Sequence, residues 1–346
     1  MSLLNILKKR HHKDLFTTPS HSQKFFIFNK FAQFYKYDIS ETDTHNPELA
    51  LSLAQKRASE IYGSKSTFFL TNGSSSGIIA AVLSCVKSGE EVLLWSGAHP
   101  SHKSAVKLAG GVPVFYEIEK DLQWGIFKKV DVLDLKEKIV DSGIKALIVT
   151  SPSYEGFVSD ISALSKICKE NNVFLIVDEA HGALLPFSKE LPDSAIYQGA
   201  DFVIQSLHKT AAGLNPTALL HVNAEVDVES ALGLISTTSP SYPLLASIEK
   251  NINFLNSKKG KRYINELLIN IENLKKNVKT VEFCSNDDIT KILINKAGMS
   301  GFELSEFLFE NGIEDERTND ESTMLLCGIG TDLKKLIRLE KVLKKL

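Results

Sequence analysis

The chain has 346 residues, enough for a sizeable core and more than one ordinary domain, so one large and one smaller unit is the expectation. Its 40 basic and 42 acidic residues give a formal net charge of -2, which excludes a global field directed at nucleic acid or a membrane surface. Cys85, Cys168, Cys284 and Cys327 have no CxxC spacing, and the apolar surroundings of Cys85, Cys168 and Cys327 indicate buried thiols; neither a disulfide framework nor a metal site is expected.

The N-terminal "MSLLNILKKR" carries its charges after the apolar residues, and its apolar stretch is too short for a signal peptide or a membrane span, so a cytoplasmic protein is expected. The basic runs "KKRHHK" (8–13) and "KKL" at the end read as solvated helix faces. Short apolar runs suited to buried parallel strands then follow at "TFFL" (67–70), "EVLLW" (91–95), "VPVFYE" (112–117), "KALIVT" (145–150), "VFLIVD" (173–178), "DFVIQS" (201–206) and "TALLHV" (217–222). Helical segments separate most of them, which predicts one α/β sheet of seven strands. Ser159 or Asp160 is placed to cap "ISALSKICKE", and Asn171–Asn172 to end it.

After about residue 225 the texture changes to longer amphipathic helices, "YPLLASIEKNINFLN" and "YINELLINIENLKKNV". A smaller α+β unit follows, with "ITKILI" and "TMLLCGI" as strands and "GFELSEFLFENG" and "DLKKLIRLEKVLKKL" as helices. The expected organisation is an N-terminal arm (1–45), a large domain (46–225), and a helical segment with a small α+β domain (226–346). There is no internal repeat and no low-complexity linker.

In parallel α/β sheets ligands bind beyond the carboxyl ends of the strands, and four predicted strand ends carry chemically active residues. "TFFL" is followed by "TNGSSSG" (71–77), "EVLLW" by "SGAHPSHKS" with His99, "VFLIV" by Asp178 in "DEAHG", and "DFVIQ" by Ser206, His208 and Lys209. As a phosphate cradle, "TNGSSSG" offers Gly73 for close backbone approach, the hydroxyls and amides of Ser74 and Ser75, and a helix dipole; as a bland feature it is a strand-to-helix turn with a Ser cap. It lacks the Lys-Ser/Thr ending of a triphosphate-binding loop, so a phosphate on a cofactor is the better fit. Asp178 closes a fully apolar strand, where a carboxylate needs a positive partner; a structural ion pair is the plain alternative. His99 alone would be a loop histidine and Lys209 alone a surface lysine, and only their joint occurrence at strand ends argues for a site.

The blocks "TFFLTNGSSSG", "AHPSHKSAVKLAGGVPVF", "VDEAHGALLPF", "LPDSAIYQGADFVIQSLHKT" and "STTSPSYPLLAS" resemble pyridoxal-phosphate enzymes of fold type I, and among them the bacterial ornithine/lysine/arginine decarboxylase group. The resemblance runs from about residue 15 to 250, and more weakly through "GFELSEFLFENGIEDE". It implies a mostly parallel seven-stranded sheet sandwiched by helices with a smaller α+β C-terminal domain, and pyridoxal 5'-phosphate as cofactor. By the same resemblance Lys209 bonds to the cofactor aldehyde, Asp178 accepts the pyridine N–H, and His99 stacks on the ring with Ala180 on the opposite face. Ser74, Ser75, Ser206 and His208 hold the phosphate, and His181 lies on the substrate side. The implied reaction is decarboxylation of arginine, lysine or ornithine to a polyamine precursor in a homodimer or larger homo-oligomer. The stretch "STTSPSY" (236–242) lies near a neighbouring subunit's cofactor in that group. The alternatives are another fold type I reaction, an aminotransferase or amino-acid lyase, and a non-catalytic partner protein derived from a decarboxylase.

Three positions depart from the group's wording: Ser20 in "TPSHS" (18–22) where a glycine is usual, Leu184 after "DEAHGA", and Pro216 in "LNP". They are expected near the substrate side, which leaves the substrate open. The wing domain of the large inducible decarboxylases has no counterpart in these residues.

Overall fold

A computed structural model describes residues 2–9, 37–39 and 47–346. Ser20 and its motif, the basic residues 10–13 and most of the expected N-terminal arm lie outside the described residues. The elements in chain order are helix α1 (Leu3–Lys9), α2 (Pro47–Tyr62), strand β1 (Ser66–Leu70), α3 (Gly73–Cys85), β2 (Glu91–Trp95), α4 (Pro100–Leu108) and β3 (Val112–Tyr116). A hairpin of β4 (Lys120–Asp121) and β5 (Ile126–Phe127) leads to α5 (Val132–Ile139), β6 (Ala146–Thr150), α6 (Ile161–Glu170), β7 (Phe174–Asp178), β8 (Phe202–Ser206), the single turn α7 (Leu207–Thr210) and β9 (Ala218–Val222). The remainder is α8 (Val228–Ile235), α9 (Tyr242–Asn256), α10 (Lys258–Asn277), β10 (Glu282–Phe283), β11 (Lys291–Asn295), α11 (Gly301–Glu310), β12 (Arg317–Thr318), β13 (Thr323–Leu326) and α12 (Leu333–Leu343).

All seven expected strands form one sheet in the order β1-β9-β8-β7-β6-β2-β3. Neighbours from β8 through β3 are parallel, and β9 runs antiparallel to both β1 and β8. The apolar runs are continuous because helices cover both faces, yet the strand period of two still sorts them. Leu93, Leu147, Val149, Leu175, Val177 and Val203 enter one core, with residues of α2, α5, α6 and α9. Val92, Leu94, Ile148, Ile176, Phe202 and Ile204 enter the other, under α3, α4 and α8. Pro113 is tolerated because β3 is an edge strand and needs no donor on its open side. Asp160 rather than Ser159 caps α6, accepting from Ala163 N at 2.9 Å, and Asn171 closes it.

A second, antiparallel sheet of order β10-β11-β13-β12 packs with α10, α11 and α12 around its own core, which includes Ile271, Leu274, Ile292, Leu308 and Leu339. Helix α9 and the first half of α10 bury Leu245, Ile252, Leu255 and Ile264 in the core of the large sheet instead. The two units also bond directly: Ser322 Oγ donates to Trp124 O at 2.7 Å, and Ile329 N to Thr210 O at 2.9 Å. All four cysteines are buried free thiols. Among the described residues no cluster suited to a metal ion exists and no helix is long and apolar enough to cross a membrane.

Candidate active site

Strands β7 and β8 are parallel neighbours, with Asp178 paired to Ile204, so their carboxyl ends open side by side. Here a cavity of about 610 Å³ is lined by Gly73, Ser74, Ser75, His99, Asp178 and Ala180, and further round by His181, His208 and Lys209. One expected residue stays outside it. Ser206 is fully buried, on the same face of β8 as Phe202 and Ile204, and its hydroxyl has no partner among the described residues.

Lys209 sits on the one-turn helix that follows β8, and its Nζ lies 2.9 Å from His181 Nε2. Burial, aided by the charge of Lys291, lowers the pKa of Lys209 against the opposing pull of Asp178 and Glu316. His181 is held well below its ordinary value, first by burial and then by the charges of Lys209 and Lys291, which favours the neutral ring, whose Nε2 accepts a hydrogen bond from Lys209 Nζ. For Asp178 burial works toward protonation, but the hydrogen bond and charge of His102, the charge of Lys209 and the Ala180 amide outweigh it, and the pKa is lowered. His102 Nε2 donates to Asp178 Oδ2 at 2.8 Å and Ala180 N to Oδ1 at 3.1 Å.

His99 caps helix α4, its Nδ1 accepting from Ser101 N at 3.2 Å; burial first lowers its pKa. The 13-residue helix α3 begins at Gly73, the Asn72 side chain makes no capping bond, and Gly73, Ser74 and Ser75 of its first turn, where amides lack intrahelical partners, line the cavity. No serine caps it; Ser76 instead donates to Gly73 O at 2.8 Å. His208 lines the cavity while its Nδ1 donates to Thr217 O at 3.2 Å.

One of the departures is not where expected. Leu184 is buried in the main core, because the tight turn from Glu179 to Gly182 directs the following residues away from the cavity. Pro216 lines the cavity, beside Gly73 at the start of α3: a Cβ on Gly73 would lie 3.8 Å from Pro216 Cβ. Four lining or supporting residues were not singled out from sequence. His102 stands three positions after His99 in a quoted block and was legible as a second histidine on the first turn of a helix. Tyr154 and Glu155 follow the end of β6 as an exposed-looking "SYEG" turn, and Arg317 comes from the small sheet with no sequence signal.

The residues fit pyridoxal phosphate on this structure's own evidence: an uncapped helix start with Gly73, Ser74, Ser75 and His208 in the lining for a phosphate, an amine of lowered pKa for an aldehyde, and a buried carboxylate of lowered pKa for a protonated ring nitrogen. A seven-stranded, mostly parallel sheet with this set at its carboxyl ends, carrying a smaller antiparallel α+β unit, defines fold type I, the fold class of many pyridoxal-phosphate enzymes. The chain belongs to the Orn/Lys/Arg decarboxylase major-domain family, which it matches over residues 7–294. It is 28% identical to the uncharacterized protein YaaO of Bacillus subtilis, over 93% of this chain and 72% of that one. It is 29% identical to an arginine decarboxylase of Bacillus anthracis, over 83% of this chain and 62% of the other. The structure of a Francisella novicida lysine decarboxylase superposes with a TM-score of 0.85 at 19% identity, over 99% of this chain and 59% of that one. The chain thus spans about three-fifths of the length of these two decarboxylases.

Proposed function

We propose that the protein decarboxylates a basic amino acid, arginine, lysine or ornithine, with pyridoxal 5'-phosphate as cofactor, yielding carbon dioxide and a polyamine precursor. The observation that carries the proposal is the convergence of Lys209 and the His102-supported Asp178 on one cavity at the ends of adjacent strands. Relatives named arginine decarboxylase support the reaction class. When bound, the cofactor supplies an electron sink that makes loss of carbon dioxide from the α-carbon feasible.

The chain's own residues do the rest. Burial lowers the pKa of Lys209, which favours the neutral amine that an aldehyde requires, and His181 Nε2, 2.9 Å from Nζ, orients that amine by accepting a hydrogen bond from it. Asp178, whose pKa is lowered by the His102 hydrogen bond against burial, would stabilise a positive charge on the cofactor's ring nitrogen. The first-turn amides at Gly73, Ser74 and Ser75, with His208, would hold the phosphate, and His99 and Ala180 would bound the ring. The closed floor of buried β7 and β8 excludes water from beneath these groups.

The working unit is a homodimer or larger homo-oligomer in the cytoplasm, in line with the exposed stretch Ser236–Ser239 resembling one that reaches a neighbouring cofactor. A panel of amino acids offered to the cofactor-loaded protein is expected to release carbon dioxide only from a basic one. Borohydride should then fix the cofactor on Lys209, as read by peptide mapping. Keto-acid products, or label on another lysine, would overturn the proposal; sedimentation of a fully active monomer would overturn the assembly.

A further inference from the structure

Beyond the cofactor's contacts, the cavity wall carries a second ionic constellation made by Tyr154, Glu155 and Arg317. Among the described lining residues the carboxylates are Asp178 and Glu155, and Asp178 is committed to His102 and the Ala180 amide. Within the described lining, Glu155 is therefore the carboxylate left for the cation of a basic substrate, Glu316 being engaged by the Tyr154 hydroxyl. That residue is buried at 8% exposure, and its backbone is anchored by Asn286 Nδ2, which donates to Glu155 O at 2.7 Å. Its carboxylate accepts from Ser153 Oγ at 3.3 Å and from Arg317 Nη1 at 3.3 Å.

Arg317 is poorly fixed by comparison. Its side chain is 54% exposed and makes a single long contact to the carboxylate, a pair of the kind that solvent screens strongly. Its guanidinium lies 4.9 Å from the centroid of the Tyr154 ring. The ring itself is held, by a hydrogen bond from its hydroxyl to Glu316 and by contact with His181 at a centroid separation of 4.4 Å. His181 is 2.9 Å from Lys209, so this platform begins two side-chain contacts from the reactive amine. A planar cation over an aromatic ring, paired edge-on with a buried carboxylate, is the arrangement a guanidinium ligand would take, and guanidinium suits it better than a compact ammonium.

We propose that Tyr154 and Glu155 form the subsite for the substrate's distal guanidinium, and that Arg317 fills this subsite in the free protein as an internal surrogate which the substrate displaces. The proposal rests on the basic amino acid reading above and narrows it to a guanidino side chain.

The test uses the cofactor-loaded full chain with n-propylguanidinium and n-propylammonium as probes, each carrying only the distal group. Calorimetry should show tighter binding of the guanidinium, a loss of at least about tenfold in Glu155→Gln, and a gain in Arg317→Gln, which removes the competitor. With arginine as substrate, Glu155→Gln should raise KM at least about tenfold and by more than kcat falls, as expected where binding is lost in ground and transition state alike. Unchanged cofactor absorbance and melting temperature in each variant establish that the site is intact. Wild-type affinity in Glu155→Gln, weaker binding in Arg317→Gln, or preference for propylammonium would each overturn the subsite. Glu155-dependent binding of propylguanidinium by a protein that decarboxylates no basic amino acid would leave the subsite standing and overturn the reaction instead.

Discussion

Asp178 keeps its charge where burial alone would remove it, and the reason is a histidine three residues into the first turn after β2. With His102 Nε2 at 2.8 Å and Lys209 nearby, the ionised form is favoured despite desolvation. Asp178→Asn retains the size of the side chain and its hydrogen bond to His102 but not the charge, so the variant should fold and load cofactor yet lose turnover by about a hundredfold to a thousandfold. Single-turnover kinetics on cofactor-saturated protein checks this; near-normal turnover would return Asp178 to a purely structural role. The neighbouring Glu179 shows the opposite balance. Burial raises its pKa to about 7 in spite of hydrogen bonds from Ser194 Oγ, Ala195 N and Gln205 Nε2. Below pH 4.5 the group is protonated in folded and unfolded chain alike; between 4.5 and about 7 the unfolded chain releases a proton that the folded protein keeps. Stability contributed at this site therefore falls as pH rises through that window, by up to about 3 kcal/mol, and is constant above it. His221, lowered to about 3 by burial, works the other way, losing stability as pH falls below 6.5. Glu179→Gln removes only the first effect. Its advantage over wild type in denaturant unfolding should grow from pH 4.5 to 7; a constant difference would show that Glu179 is ionised in the fold.

At the scale of elements, the strand after strand rhythm of apolar runs was readable because both sheet faces are covered, and each run lies within a residue or two of the strand it forms. The antiparallel course of β9 was not readable, since a short connection from Lys209 back to Ala218 leaves an identical apolar run whichever way it points. What joins the small sheet to the site was equally hidden. Lys291 on β11 is fully buried, ion-paired with Asp288, and donates to His181 O at 2.7 Å, so a strand of the second unit holds the residue that contacts Lys209. In sequence it is one polar residue in "ITKILI". Lys291→Met leaves the Asp288 carboxylate buried without its partner, and should lower stability by about 3–5 kcal/mol. Denaturant midpoints at neutral pH measure this, and a loss under 1 kcal/mol would mean that water or rearrangement compensates the charge.

At the scale of the whole molecule, the two units meet around the turn that carries Lys209. Gly328 is required there: a Cβ at that position would fall 2.5 Å from Thr210 O, the residue after Lys209, and the adjacent Ile329 amide donates to that same oxygen. Gly328→Ala should therefore push the C-terminal unit off the turn, costing about 1–3 kcal/mol of stability. It should also lower the rate of cofactor attachment at Lys209, because the turn that aims the amine loses its support. Stopped-flow absorbance during cofactor loading reads the second effect, and a normal rate in a destabilised variant would separate the contact from the function.

The amino-acid sequence by itself determined the sheet, the covering helices, and the strand-end positions of Lys209, Asp178, His99 and the Gly73–Ser75 turn, because these follow from local periodicity and from the rule that ligands bind at carboxyl ends of parallel strands. Tertiary structure alone decided that Ser206 turns into the sheet, that Leu184 belongs to the core, that Pro216 abuts Gly73, and that His102 sustains the charge of Asp178. It also brought Arg317 and Glu155 together across 162 positions of chain. Such pairings depend on which distant surfaces pack against one another, and no period within a single element encodes that.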